Sequence, residues 1–397
     1  MSLEVIIRRI APFAPENYDY LFTRKERSLF GIGTAARLSA KGPKRIEELN
    51  QKWTDLVSSA SVINEAGSEN ISLTAFASIT FSPDSETESV LVIPARLIVV
   101  DQDQTFEVVV KAESEQARQV RVKPGEFASG AKSAENFKAN VAKAIESIKS
   151  GNLEKVVLSR ELVMDLAAQP DLSEPLARLR RRYPDCWTYK VEGVFGASPE
   201  LLIRGDRGEV SARVLAGTAG RGTDPDVDRA ISSSLTHSNK NIHEHAYAVK
   251  SMIDELSPFC DWVEADSEPF SLALPDLWHL ATDVRGKLKS EVTLLDVVAR
   301  LHPTAAVAGT PRDQANELIH ELEQSDRGGY AGPVGWIASD GSGELAIALR
   351  GGVIETTETG SRIRAMAGCG IVAESDPDAE LAETELKLRA VRYAFDS

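Results

Sequence analysis

An amphipathic helix followed at once by an apolar strand is the feature that most constrains the fold of this chain. The helix begins near Ser133, places apolar residues from Phe137 to Ile148 at helical spacing, and ends at Gly151. Residues 155–160 then form a strand that is too apolar to be half exposed, so it should lie inside a sheet. The chain must therefore bury a sheet beneath helices.

The rest of the pattern extends this picture. Short strands dominate residues 3–122, with one helix near residues 43–58. Later strands are predicted at residues 187–191, 201–204, 209–214, 332–337, 345–349 and 362–367, and helices at residues 226–256, 294–300, 312–323 and 377–395. We predict an α/β (α+β) fold with large mixed, mainly antiparallel sheets flanked by helices. Without a linker or repeat, residues 1–397 are predicted to form one domain, strand-rich in 1–132 and motif-bearing in 133–397.

Composition excludes several classes of partner. The net charge of −15 repels nucleic acid and anionic membranes, and the arginines at 178 and 180–182 fit a solvated helix face. Cys186, Cys260 and Cys369 are too few and too far apart for a disulfide framework or a structural zinc site, which favours a reducing cytoplasm. The sequence contains neither a signal-peptide pattern nor an apolar run that could span a membrane.

Acidic residues on two helices are candidate metal ligands. Glu380, Glu383 and Lys387 lie on one face of the last predicted helix, where two carboxylates one turn apart could hold a hard cation such as Mg²⁺ or form a surface ion-pair ladder. Glu244 lies between His243 and His245, which are spaced too closely to share a metal and fit a structural role better. Glu244 is nevertheless a candidate partner for the two later glutamates.

Two further residues are candidates for proton transfer. Lys155 begins the buried strand, so its ammonium could be partly desolvated and act as a general base, or could reach solvent from the strand end. Glu200 lies between a Pro turn and an apolar strand, where desolvation could keep it protonated as a general acid.

Glycine turns and an arginine could bind anionic groups. The turns around Gly217 and Thr218, and around Gly368 and Gly370, could offer backbone N–H groups to carboxylates, or could simply be turns. Arg350, which follows an apolar strand, could add a bidentate clamp.

Taken together, these segments resemble the chorismate-utilising enzymes of menaquinone, siderophore and tryptophan synthesis. The resemblance rests on residues 155–160, 197–202, 215–218, 243–245, 277–282, 302–304, 332–336, 368–372 and 380–387, in that order. It implies one shared fold, with a magnesium-chorismate site. The region before Ser133 carries no matching motif and is assigned to this fold by continuity.

Within the family, the sequence is most similar to the isochorismate synthases. Lysine at position 155 resembles the members that activate water and not those that use ammonia, so no glutamine amidotransferase subunit is expected. Salicylate synthases share this lysine, but residues 302–309 and 216–219 look more like isochorismate synthases, although Ala305 replaces the family's usual proline. A salicylate synthase and a catalytically silent chorismate sensor are the alternatives.

The resemblance also implies roles for individual residues. Lys155 would activate water for attack at C2 of chorismate, and Glu200 would protonate the departing C4 hydroxyl. Glu244 and Glu383 would bind Mg²⁺ directly and Glu380 through water. The predicted substrate-binding residues are Gly217, Thr218, His279, Ala306, Val307, Tyr330, Arg350, Gly368, Gly370 and Lys387. We expect a cytoplasmic monomer, and residues 330–336 favour a role in menaquinone synthesis.

Overall fold

The computed structural model describes residues 3–111, 125–130 and 133–396, without the side chains of residues 239–241, 243 and 244. The helices are α1 (Arg45–Ser59), α2 (Ala134–Lys149), α3 (Ser173–Arg182), α4 (Pro225–His237), α5 (Asn239–Leu256), α6 (Leu294–Leu301), α7 (Arg312–Glu323) and α8 (Pro377–Phe395). None of the described helices is long and apolar enough to cross a membrane.

The strands of the described residues follow the predicted pattern and add to it. They are β1 (Glu4–Ile10), β2 (Tyr20–Arg24), β3 (Arg27–Ala40), β4 (Ser61–Asn64), β5 (Thr74–Ser78), β6 (Ser89–Asp101), β7 (Gln104–Lys111), β8 (Ala128–Ser129), β9 (Lys155–Leu166), β10 (Trp187–Val191), β11 (Val194–Ser198), β12 (Leu201–Asp206), β13 (Glu209–Gly220), β14 (Cys260–Ala265), β15 (Phe270–Ala273), β16 (Leu277–Leu288), β17 (Gly309–Thr310), β18 (Pro333–Ala338), β19 (Gly343–Ile347), β20 (Gly351–Thr357) and β21 (Gly360–Ile371).

Antiparallel pairing links most of these strands into one path. It runs from β9 through β21, β20, β11, β10, β2 and β3 to β6. It continues from β6 through β5, β18, β19, β12 and β13 to β16. Among the described strands only β1 and β4 pair in parallel. The predicted mainly antiparallel fold with flanking helices is confirmed.

The helices cover the sheet through their apolar faces. In α2, Phe137, Val141 and Ile145 are buried, and Ser133 caps the helix by accepting a hydrogen bond from the backbone N–H of Asn136. A second apolar cluster combines residues of α3, α8, β9 and β21 and includes Leu179, Leu388 and Val391. This second cluster fixes α8 against the strands whose ends form the cavity described below.

One predicted helix was wrong in its extent. Residues 226–256 form two helices, α4 and α5, and not one. The break lies at Ser238, whose backbone is extended (φ −71°, ψ 113°) and cannot continue a helix. The prediction failed because the apolar spacing continues across the break while the backbone does not.

Candidate active site

A cavity of about 380 Å³ gathers nearly all of the predicted site residues. It lies where the beginning of β9, the bulge in β13, the end of β21 and the first turns of α8 meet. The predicted residues that line it are Lys155, Glu200, Gly217, Thr218, His279, Ala306, Val307, Tyr330, Arg350, Gly368, Gly370, Glu380, Glu383 and Lys387. Residues far apart in the sequence therefore share one chamber.

Lys155 lies at the first position of β9 and is half-buried. The neighbouring strand β21 brings Gly370 beside it, and a Cβ atom built on Gly370 would lie 2.6 Å from Cε of Lys155 and 3.3 Å from its Nζ. A side chain at position 370 would therefore displace the lysine. Gly370 was predicted as a backbone donor, and the structure gives it this additional role of making room for the amine.

Glu200 lies just before β12 and is only 7% exposed. Its backbone is fixed at both ends, because its N–H donates to Oγ of Ser198 (3.2 Å) and its carbonyl accepts from the N–H of Ile347 (3.1 Å). Burial raises the pKa of the Glu200 carboxyl to about 7, although Lys155, Lys387 and Arg350 act to lower it. A large fraction of this carboxyl is thus protonated near neutral pH, as a general acid requires.

His279 is buried between Thr218 and Arg350. Its Nδ1 lies 3.0 Å from Oγ1 of Thr218, and Nη2 of Arg350 lies 3.2 Å from its Nε2. Burial, together with the charges of Arg350 and Lys387, holds the pKa of His279 well below its usual value, so the ring is neutral. Because a guanidinium can only donate, Nε2 must accept, and the proton is therefore assigned to Nδ1.

A bulge in β13 shapes the wall next to His279. The pairing of β13 with β16 shifts register between Leu215 and Thr218, and Gly217 has φ +86°, a conformation that favours glycine. His245 of α5 supports this bulge: its Nδ1 lies 3.2 Å from the carbonyl of Ala216 and its Nε2 lies 2.7 Å from Oγ1 of Thr282. The structural role predicted for this histidine is confirmed.

Helix α8 supplies the acidic wall. Asp376 caps it by accepting from the N–H groups of residues 378 and 379, and Glu380, Glu383 and Lys387 all face the cavity. Lys387 Nζ lies 2.6 Å from Oε1 of Glu383 and donates to the carbonyl of Gly368 at 2.7 Å. Burial alone would raise the pKa of Glu383, but Lys387 and Arg350 outweigh it and hold that pKa below its usual value.

The carboxylates of this wall are suited to a hard cation. Burial raises the pKa of Glu380, and the charge of Glu383 adds to that rise, so the ionised Glu383 opposes the ionisation of its neighbour. Their oxygens are the ligands that Mg²⁺ prefers. The third predicted ligand, Glu244, lies on α5, but its side chain is outside the described residues. Among the described side chains, no group of three His, Cys, Asp or Glu could hold a metal.

Among the lining residues that were not predicted, Arg327 and Ser375 make hydrogen bonds that hold the cavity walls. Arg327 is 3% exposed, pairs with Glu323, and donates to the carbonyls of Val157 (2.8 Å) and Val307 (3.0 Å), so it joins two walls. The i, i+4 spacing of Glu323 and Arg327 was the available signal. Ser375 also lines the cavity, and its Oγ accepts from the N–H of Val372 at 3.1 Å.

The chain is similar to known proteins over much of its length. Residues 7–396 match the family described as chorismate binding enzyme. The isochorismate synthase MenF of Bacillus subtilis is 36% identical over 261 residues, which are 64% of this chain and 55% of that protein. The isochorismate synthase DhbC of the same organism is 35% identical over 273 residues, 66% of this chain and 68% of that protein. The matched segment thus spans little more than half the length of the first of these relatives.

The fold has a counterpart among solved structures. MenF from Escherichia coli, the menaquinone-specific isochorismate synthase, superposes with a TM-score of 0.81 over 99% of this chain and 95% of that one, at 20% identity. At that identity the likeness shows a common fold, and it includes the strand-rich half that carries no motif. With the family match over residues 7–396, these findings establish that the chain belongs to the chorismate binding enzyme family.

Proposed function

We propose that this protein is an isochorismate synthase, an isomerase that converts chorismate to isochorismate. The observation that carries the proposal is that Lys155 and Glu200, an amine and a carboxyl with a pKa of about 7, line one cavity. Addition of water and loss of a hydroxyl require one group that takes a proton and one that gives a proton. The relatives named as isochorismate synthases support the same activity.

Lys155 and Glu200 account for both proton transfers of the proposed reaction. Lys155, as the neutral amine, takes a proton from water while the water oxygen forms a bond to C2 of chorismate. The ring double bonds shift, the C4–O bond breaks, and Glu200 protonates the departing hydroxyl so that it leaves as water. The buried cavity holds both groups close to the ring, which replaces an encounter in solution by a fixed geometry.

The two carboxylates of chorismate need positive partners in a protein with a net charge of −15. Arg350 and Lys387 line the cavity, and with the backbone N–H groups near Gly217, Gly368 and Gly370 they would hold these carboxylates. Glu383, Glu380 and Glu244 would hold Mg²⁺, which when bound supplies positive charge next to the substrate. His279, Thr218, Ala306, Val307 and Tyr330 would shape the pocket around the ring.

Analysis of the products tests the proposal. Purified protein should convert chorismate to isochorismate in the presence of Mg²⁺ and should lose this activity with a chelator, as followed by chromatography. Salicylate and pyruvate formed without a second enzyme would identify a salicylate synthase instead. Binding of chorismate without turnover would identify a sensor.

We also propose that the isochorismate serves menaquinone synthesis. Residues 330–336 favour menaquinone synthesis, whereas MenF and DhbC are both among the named relatives. Growth tests separate these routes: the gene should restore menaquinone in a strain that lacks its own isochorismate synthases. Restoration of catechol siderophore alone would assign the other pathway. The monomeric state, tested by light scattering, and the cytoplasmic location, tested by fractionation, remain predictions.

A further inference from the structure

A second, smaller cavity lies behind Glu200. Its volume is about 30 Å³, which is close to the share of liquid that one water molecule occupies. Glu200 and Ala306 line both cavities, so the carboxyl-bearing residue separates the substrate chamber from this space. The polar residues around the small cavity are Arg213, Ser251, Glu255, Thr304 and Arg312. Such a lining offers the polar partners that a buried water needs.

The small cavity is lined by both buried and exposed residues. Glu200 is 7% exposed, whereas Ser251 of α5 is exposed. Glu255 pairs with Arg312 at 3.0 Å, and the two side chains are 19% and 28% exposed. A proton entering beside these groups would reach Glu200 without crossing the substrate chamber.

Thr304 contributes a side-chain hydroxyl that lacks a hydrogen bond within the described part of the chain. Its Oγ1 is buried and has no hydrogen-bond partner among the described residues. Its backbone carbonyl already accepts from the N–H groups of Val307 (3.1 Å) and Ala308 (2.9 Å), so the turn does not depend on the hydroxyl. A buried hydroxyl without a hydrogen-bond partner is unfavourable, and a water in the cavity would supply that partner.

Turnover creates a need for such a water. In the proposed reaction, each forward cycle leaves Glu200 as a carboxylate and Lys155 as an ammonium. Before the next cycle, the carboxylate must gain one proton from solvent and the ammonium must lose one to solvent. While the ring fills the substrate chamber, the side of Glu200 that faces that chamber is covered.

We propose that the cavity behind Glu200 binds a water through which this carboxylate regains its proton from solvent, and that Thr304 positions this water. The inference rests on the proposed isochorismate synthase activity. Thr304 is a positioning residue, since it acts on the acid through the water. Met252 and Leu301 belong to the apolar part of the cavity wall.

Replacing Thr304 by valine tests the proposal, because valine keeps the shape and removes the hydroxyl. In rapid-quench experiments with excess chorismate, T304V should make about one product per site at the wild-type rate, and then slow about tenfold. The slow phase should show a larger solvent deuterium effect than the wild type, while kcat/KM changes little. Thr304→Ser should restore most of the steady-state rate. Ala248→Leu, which fills the cavity from α5, should give the same burst.

Two results would overturn this role for Thr304. One is a wild-type steady-state rate in T304V. The other is a first turnover as slow as the later ones in both T304V and T304S, which would indicate a structural role only. Wild-type protein that makes no isochorismate would instead refute the proposed function, so the two failures are distinguishable.

Discussion

Two walls of one cavity shift the pKa values of their glutamates in opposite directions. Glu200 lies on the strand wall, where burial raises its pKa to about 7. Glu383 lies on the α8 wall, where Lys387 at 2.6 Å outweighs the effect of burial and lowers its pKa. The same side chain therefore holds a proton on one wall and a negative charge on the other. The surroundings of each glutamate, and not its residue type, therefore determine its role.

The largest effect is expected from removing the transferable proton of Glu200 on the strand wall. Glu200→Gln keeps the shape of the side chain but has no transferable proton, so kcat for isochorismate formation should fall by about 10²–10⁴-fold. Chorismate binding, measured by calorimetry, should be largely retained. The matched control is Glu209→Gln on the exposed start of β13, which should leave kcat unchanged. An unchanged kcat in E200Q would contradict the proposed acid.

The second test removes the charge from the α8 wall. Glu383→Gln should weaken Mg²⁺ binding by about 10–100-fold, because a neutral amide is a poorer ligand for a hard cation. Calorimetric titration with Mg²⁺ alone would measure this loss, independently of activity. Asp378→Asn serves as the control, since Asp378 lies on the same helix and pairs with Lys138 outside the cavity. Equal Mg²⁺ affinity in E383Q and D378N would remove Glu383 from the metal site.

The pH dependence should show the raised pKa of Glu200 directly. The acid form is the one needed, so its contribution to kcat is complete well below pH 7 and is lost as the pH rises through about 7. Above that point, kcat should fall by about tenfold per pH unit along this limb. A profile of kcat against pH would measure the midpoint and the slope of this limb. If E200Q kept an alkaline limb with the same midpoint, another group would be responsible.

The smallest effect is expected from crowding Lys155. A methyl group at position 370 would meet Cε of Lys155 at 2.6 Å, so Gly370→Ala should shift the amine and lower kcat by about tenfold at most. The control is Gly220→Ala, because a Cβ at Gly220 meets nothing within 4 Å. Comparable kcat values in G370A and G220A would show that the position of the amine tolerates this change.

The sequence predicted the elements that carry strong periodicity. Helices α7 and α8 and strand β10 begin and end where the apolar spacing and their caps placed them. Strands β8, β11, β14, β15, β17 and β20 were missed, and β16 was noted only as a motif at its start. Exposed or half-exposed residues in β14 and β15 weaken the apolar signal. The single-domain organisation remains a prediction.

The candidate site was predicted residue by residue, but its chemistry required coordinates. The resemblance indicated Lys155 and Glu200, yet only the fold shows that they line one cavity. The network of Thr218, His279 and Arg350 depends on a bulge that spacing does not encode. Arg327 was missed although its i, i+4 spacing from Glu323 is visible in the sequence, because its contacts with the carbonyls of Val157 and Val307 leave no trace there.

Isotope labelling of the product would show whether the new hydroxyl comes from solvent water. If Lys155 activates water for attack on the ring while Glu200 expels the C4 hydroxyl, turnover in oxygen-18 water should place one labelled oxygen at C2 of isochorismate. Mass spectrometry with fragmentation would locate the label, and Lys155→Ala should form no labelled product. Isochorismate that carries only unlabelled oxygen at C2 would contradict the account, because the hydroxyl would then have moved without solvent water.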